Sequence, residues 1–225
     1  MMNHFKLSFL FLLIFSLSSC KEKGSDSSSE LAAVSEAQGT KFIADASNTK
    51  ILWEGSKPGG KHSGSININS GDVFVAEGKI TGGSISIDMN SITVTDLEGE
   101  DKASLEEHLK GTATEGAADF FNVTKYPSAK FDITSVVSTT DQTNANSTVT
   151  GNLTLLDITK SITFPATILI NDEKVTVSTN LFPINRTEWG IKYGSKSFFD
   201  NLADKFIEDN ILLQIKLTAN KPAAQ

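Results

Sequence analysis

From about residue 40 onward, apolar residues recur at every second position, and this period limits the fold more than any other feature. In residues 161–170, Ile162, Phe164, Ala166, Ile168 and Ile170 share one face. In residues 211–219, Ile211, Leu213, Ile215 and Leu217 do so, opposed by Gln214, Lys216 and Thr218. Ile85, Ile87 and Met89 alternate with Ser86, Asp88 and Asn90. Phe131, Ile133 and Val137 sit at odd positions of a further run. Val149, Leu153 and Leu155 follow, and then Val175 and Val177. A strand with one buried face repeats every two residues, whereas a helix repeats every 3.6, so these runs read as half-buried strands.

Punctuation between the runs fits short connections. Asn171-Asp172 reads as a hairpin turn, and residues 157–160 separate two more runs. Gly71-Asp72 and Gly82-Gly83 read as turns in the early part. About eight strands at regular spacing favour a sandwich or a closed antiparallel barrel. Two stretches have helical character. Ser104-Leu105-Glu106-Glu107 is a capping-box pattern running through His108, Leu109 and Lys110 to a stop at Gly111. Phe198, Leu202 and Phe206 have helical spacing within residues 197–209.

The N-terminal region differs. Lys6 precedes an apolar run over residues 7–17, too short for a membrane span but long enough for a signal-peptide core. The run ends in Leu17-Ser18-Ser19-Cys20, which resembles a bacterial lipobox. The chain has 1 Cys, and it sits at this place. We therefore expect a lipoprotein signal over residues 1–19, a lipidated Cys20 opening a Ser- and charge-rich tether over 20–39, and a folded domain over 40–220. Cleavage would remove Lys6 and make the balance one charge more negative than the −7 of the whole chain. That sign argues against a nucleic-acid partner.

Little in the sequence supports catalysis or metal binding. A lone cysteine excludes intrachain disulfides and cysteine-rich zinc sites. No nucleophile-elbow motif occurs. Asp96, Glu98, Glu100 and Glu107 take ligand positions of a calcium-loop template, but Asp101 stands where that loop needs glycine, so the run reads as a solvated loop entering a helix. No enzyme activity, cofactor or metal is expected.

Three stretches together resemble the YceI-like family of bacterial exported proteins. The first is His108-Leu109-Lys110 followed by Asp119-Phe120-Phe121 and Lys125-Tyr126-Pro127. The second runs from Gly151-Asn152-Leu153-Thr154-Leu155 through Thr159-Lys160 to Ile162-Thr163-Phe164-Pro165. The third is Asn185-Arg186-Thr187-Glu188-Trp189-Gly190-Ile191, with the closing strand over 211–219. The link over 110–118 is longer than the family's usual one. The resemblance implies an all-β fold, an eight-stranded antiparallel lipocalin-like barrel with one or two short helices. It also implies an apolar cavity for an isoprenoid, an isoprenoid quinone precursor or a fatty-acyl amide.

The wall of that tunnel would be Trp53, Ile85, Ile87, Phe131, Ile133, Leu153, Leu155, Ile162, Phe164, Ile168, Ile211, Leu213 and Ile215. Its polar mouth would be His62, Asn185, Arg186, Trp189 and Tyr193. The reading is a carrier anchored through Cys20 in the cell envelope, at the outer membrane on its periplasmic face or at the surface, with a homodimer left open. The alternatives are a barrel filled by its own side chains, serving as an interaction or stress-response module, and an enzyme on a periplasmic small molecule.

Overall fold

The computed structural model describes residues 31–223 apart from positions 32, 35, 114, 117 and 141–144. The expected signal over 1–19, Cys20 and most of the tether lie outside the described residues. A single antiparallel sheet contains β1 (Thr40–Ala44), β2 (Lys50–Lys57), β3 (Gly60–Ala76) and β4 (Lys79–Val94). Helix α1 (Gly99–Lys110) follows, then β5 (Ser128–Ser138), β6 (Ser147–Leu155) and β7 (Ile158–Ile170). The chain ends with β8 (Lys174–Ser178), β9 (Phe182–Asn185) and β10 (Asn210–Asn220).

Ten strands are present among the described residues where about eight were expected, and the pairing explains the difference. Strands β10, β2, β3, β4, β5, β6, β7 and β8 form a closed ring, because β10 pairs with both β2 and β8. The two extra strands are broken staves of that ring. β1 lies between β10 and β3 beyond the end of β2, pairing Ile43 with Asn220 and with Asp72. β9 continues the line of β8 along β10, pairing Phe182 with Leu213. The fold is a lipocalin-like eight-stranded barrel.

The inward alternation mostly follows the sequence pattern. Ile85, Ile87, Leu153, Leu155, Phe164 and Ile168 are all buried. One departure comes from a bulge in β5 between Ile133 and Ser135. A bulge inserts one residue and swaps the faces beyond it. Val136 therefore packs on the core, and Val137, expected to share a face with Phe131 and Ile133, is 60% exposed.

Three expected turns are also different. Gly71-Asp72 lies inside β3 and Gly82-Gly83 inside β4, while the turn joining these strands is Glu77-Gly78, both at positive φ. The interior glycines allow close approach: a Cβ at Gly83 would come within 2.5 Å of the Asp72 carbonyl oxygen. The β6–β7 turn is tighter than expected, with Leu156 and Asp157 alone left-handed at φ 50° and 59°.

Of the two helical stretches, α1 begins five residues before the Ser104 pattern, so Glu100 and Asp101 occupy its first turn, favourable for the helix dipole. Its end is as expected, with Gly111 at φ 69°. Residues 197–209 are not a helix. They contain only a short 3₁₀ turn (Ala203–Lys205), and Asn201 and Ala203 have φ of 67° and 46°, which no α-helix accommodates.

Candidate ligand-binding site

The interior of the ring is not filled by its own side chains. A cavity of about 270 Å³ lies between α1 and the barrel end formed by β2, the start of β3 and the start of β10. A deeper cavity of about 100 Å³ adjoins it. The two share Ile66, Phe121, Ile211 and Leu213 as walls, and both are almost wholly apolar.

Most of the expected tunnel residues line these spaces. Ile85, Ile87, Phe131, Leu153, Leu155, Ile162, Phe164 and Ile215 line the deep cavity, Ile211 and Leu213 line both, and Trp53 lines the outer one. Two do not. Ile133 packs in the surrounding core, and Ile168 lines a polar hollow at the opposite end, beside Lys79 and Asn146. The deep wall includes a run of aromatic contacts, with Phe164 stacked on Phe182 at 4.5 Å and Phe131 tilted against Phe164 at 5.8 Å. Phe182, Ile51 and Ile184 also line it and were not singled out in the sequence, and Met89, read there on the same strand face as Ile85 and Ile87, joins the wall.

The expected mouth divides. His62 and Tyr193 line the outer cavity. His62 Nδ1 lies 2.9 Å from Asp96 Oδ2, and the Ser63 amide donates to Asp96 Oδ1 at 2.8 Å. Burial pushes the Asp96 carboxyl upward, but these bonds outweigh it and hold the group below its ordinary value. A carboxylate only accepts, so the proton of that pair sits on Nδ1 of His62, and its Nε2 remains for another partner.

Arg186 touches the cavity but is 2% exposed, and its guanidinium is engaged. Nε donates to the Glu208 carbonyl at 3.1 Å, Nη1 to Ile191 at 3.0 Å and Nη2 to Ile207 at 3.1 Å, with Asp209 at 3.7 Å. Arg186, expected at the mouth, lines it while its guanidinium clamps two loops together through their carbonyls. Burial lowers its pKa, partly opposed by Asp209.

Asn185 and Trp189 line neither cavity. Asn185 Oδ1 accepts from the Thr187 amide and hydroxyl at the start of a 3₁₀ turn (Arg186–Trp189). Trp189 is 1% exposed, and its Nε1 donates to the Leu153 carbonyl at 3.1 Å. Both therefore build the lip from behind.

A second histidine completes the mouth. His108, on α1, has Nε2 at 3.1 Å from Asp119 and packs edge-on against Phe120 at 5.1 Å and Tyr193 at 4.8 Å. Leu105 and Leu109 flank it on the cavity side. Their spacing of three, four and one residues is one helical face, a signal present in the sequence once α1 is placed correctly.

The YceI-like domain model matches residues 42–219. A UPF0312 protein of Pseudomonas putida is 55% identical over 51 residues, 23% of this chain and 25% of that relative's length. Among solved structures, Burkholderia cenocepacia BcnA superposes with a TM-score of 0.59 at 19% identity, over 78% of this chain and 99% of that one. A polyisoprenoid binding domain from Saccharophagus degradans, implicated in plant cell wall breakdown, gives 0.55 at 14% identity, over 80% and 98%. The likeness to both is one of fold. Since the family's pattern runs from β1 into β10, across all the strands that enclose the two cavities, this chain belongs to the YceI-like family.

Proposed function

We propose that this protein is a lipid-anchored carrier of the bacterial cell envelope whose barrel holds a long-chain apolar ligand. The ligand would be an isoprenoid, an isoprenoid quinone precursor or a fatty-acyl amide. The observation that carries this reading is the pair of adjoining apolar cavities inside a closed ring. A tail placed there gains roughly 25 cal/mol for each Å² of apolar surface withdrawn from water, and no bond need be made or broken. The fold shared with a domain described as polyisoprenoid binding supports the same ligand class. Cys20, closing its lipobox, would tether the carrier at the outer membrane, on its periplasmic face or at the surface.

Native mass spectrometry of the full chain after gentle purification tests the cargo. An apolar molecule of defined mass should co-purify. A protein consistently free of such a mass, and unable to take up an added isoprenoid, would sink the carrier reading. Cys20→Ala tests the anchor: the variant should leave the membrane fraction, and continued membrane association without a lipid adduct would count against lipidation.

A further inference from the structure

Tyr193, Phe198 and Phe199 are 43%, 47% and 49% exposed, and no other aromatic side chain among the described residues stands so far into solvent. All three belong to the loop between the 3₁₀ turn at 186–189 and β10. Single exposed apolar residues are ordinary, but a cluster of exposed aromatics marks a contact surface. Backbone bonds fix the pair on a turn: Ser195 is fully buried, and its carbonyl accepts from the Phe198 and Phe199 amides at 3.2 and 3.0 Å. The Ile207 amide closes the base of the loop on the Gly194 carbonyl at 2.8 Å.

This loop rims the outer cavity. Tyr193 and Ile207 line it from the loop side, and Ser56, Lys57 and His62 from the β2–β3 hairpin. The Glu208 amide donates to the Ser56 carbonyl at 2.9 Å, which sets loop and hairpin side by side. Lysines surround the rings. Lys192 lies 4.3 Å from the Phe198 centroid, Lys196 lies 3.2 Å from that of Phe206, and Lys205, Lys57 and Lys61 stand nearby in sequence on the same two segments. Lys61 pairs with Glu54 at 2.6 Å, whereas Lys57, Lys192, Lys196 and Lys205 form no ion pair among the described residues. The acids of the loop are Asp200, Asp204 and Glu208 at its base. The rim thus carries more lysines than acids, in a chain with 20 Lys and Arg against 27 Asp and Glu.

We propose that this aromatic and basic rim docks on an anionic lipid bilayer, with Phe198 and Phe199 entering the interface, the lysines meeting lipid phosphates, and the cavity mouth turned to the membrane. Exposed aromatics flanked by lysines suit a bilayer interface, where apolar burial and attraction to anionic lipid act together. A protein partner fits less well, because lysine is depleted at protein–protein interfaces. Docking rests on the lipid-anchored half of the proposed function and not on the identity of the cargo. Two phenylalanines and a few lysines hold a bilayer more weakly than an acyl chain, so the rim orients a barrel that is already tethered and does not anchor one.

The test is photolabelling of the full chain, taken from membranes with its anchor and reconstituted into vesicles. Diazirine-bearing phosphatidylcholine serves as the probe in two vesicle sets, with and without phosphatidylglycerol. Tryptic cleavage after Lys196 and Lys205 isolates residues 197–205. The internal comparison is residues 161–174, where Leu169 is exposed alone near Asp172 and Glu173. With phosphatidylglycerol present, adducts on 197–205 should outnumber those on 161–174 about tenfold, and they should fall about fivefold without it. Phe198→Ser with Phe199→Ser should bring 197–205 to within about twofold of the comparison segment while the thermal midpoint stays that of the wild type, since both rings are exposed. Equal labelling of the two segments, or labelling of 197–205 that ignores phosphatidylglycerol, overturns the docking and leaves the anchor standing. A dimer that the double variant abolishes, with 197–205 free of lipid adducts, overturns it in favour of a second copy of this chain. A chain that does not float with the vesicles overturns both docking and anchor.

Discussion

Arg186 holds the lip of the barrel from a position that is 2% exposed. Its three carbonyl partners belong to Glu208, Ile191 and Ile207, so one side chain ties the turn after β9 to the segment entering β10. Removing it takes the donor from the buried Ile191 carbonyl and from the half-buried Glu208 and Ile207 carbonyls, and leaves Asp209 without its cation. Arg186→Ala should therefore lose about 3 kcal/mol of stability in urea melts, with Arg186→Lys recovering only part because an ammonium lacks the planar fork. A loss within experimental error would show that the clamp is dispensable. Asp96 makes a different prediction. Its folded-state carboxyl lies below the usual 3.8, through the Ser63 amide and His62 against the opposing effect of burial. A lowered folded value means that the pairing contributes fully above the ordinary carboxylate range and disappears as pH falls through the lowered one. Asp96→Asn should thus be less stable than wild type at pH 7 by about 1 kcal/mol, allowing for its partial exposure, and the gap should close in acid. A gap of the same size at both pH values would exclude the charge as its cause.

At the scale of elements, α1 is the loosest part of the site. None of its residues is fully buried, and no side chain caps its start. It is held where Glu106 Oε1 accepts from the Val94 amide at 2.9 Å, and where the Phe121 and Val123 amides donate to the Leu109 and Lys110 carbonyls. Strands in the ring have both edges paired, so their amides open only with the whole barrel, whereas α1 has a few local ties to lose. Hydrogen exchange should find α1 amides exchanging well before those of β6 and β7, and bound isoprenoid should slow α1 selectively. Equal protection of helix and ring in the free protein would refute this. The same elements show what was legible in the sequence. Strand periodicity located most of the deep wall, since an inward face is written locally in every second residue. It failed in β5 because a bulge at Ile133–Ser135 is set by the bend of the sheet and not by the run itself. The Ser104 capping box was misleading because those residues lie inside α1. The Phe198–Leu202–Phe206 spacing formed no helix, since Asn201 and Ala203 take left-handed φ between these residues and the Phe198 ring stays exposed. The mouth was least legible. Whether Arg186 points at a ligand or at three carbonyls depends on loops that meet only after the ring has closed.

The whole molecule folds as a ring that cannot close early. β10 pairs with β1, β2, β8 and β9, and it is the last strand among the described residues, so its register joins the N-terminal third to the C-terminal third. Most contacts are therefore distant in sequence, which favours slow, cooperative folding without a stable half-barrel. A hollow interior bears on the stability of this single unit. The side chains around the two cavities forgo contacts that a packed core would make. A ligand that fills the space binds only the closed ring, so its effect must appear in global unfolding and not in one element. At a free concentration of one hundred times its Kd, that effect is about 2.7 kcal/mol. For a barrel of this size the midpoint of thermal unfolding should rise by roughly 5–10 °C. Calorimetry of the full chain as purified, after delipidation, and with isoprenoid restored in steps should show the midpoint fall and then climb with the logarithm of ligand concentration. A barrel packed by its own side chains would give one midpoint at every concentration, and that result would remove the hollow interior from the account of what this protein does.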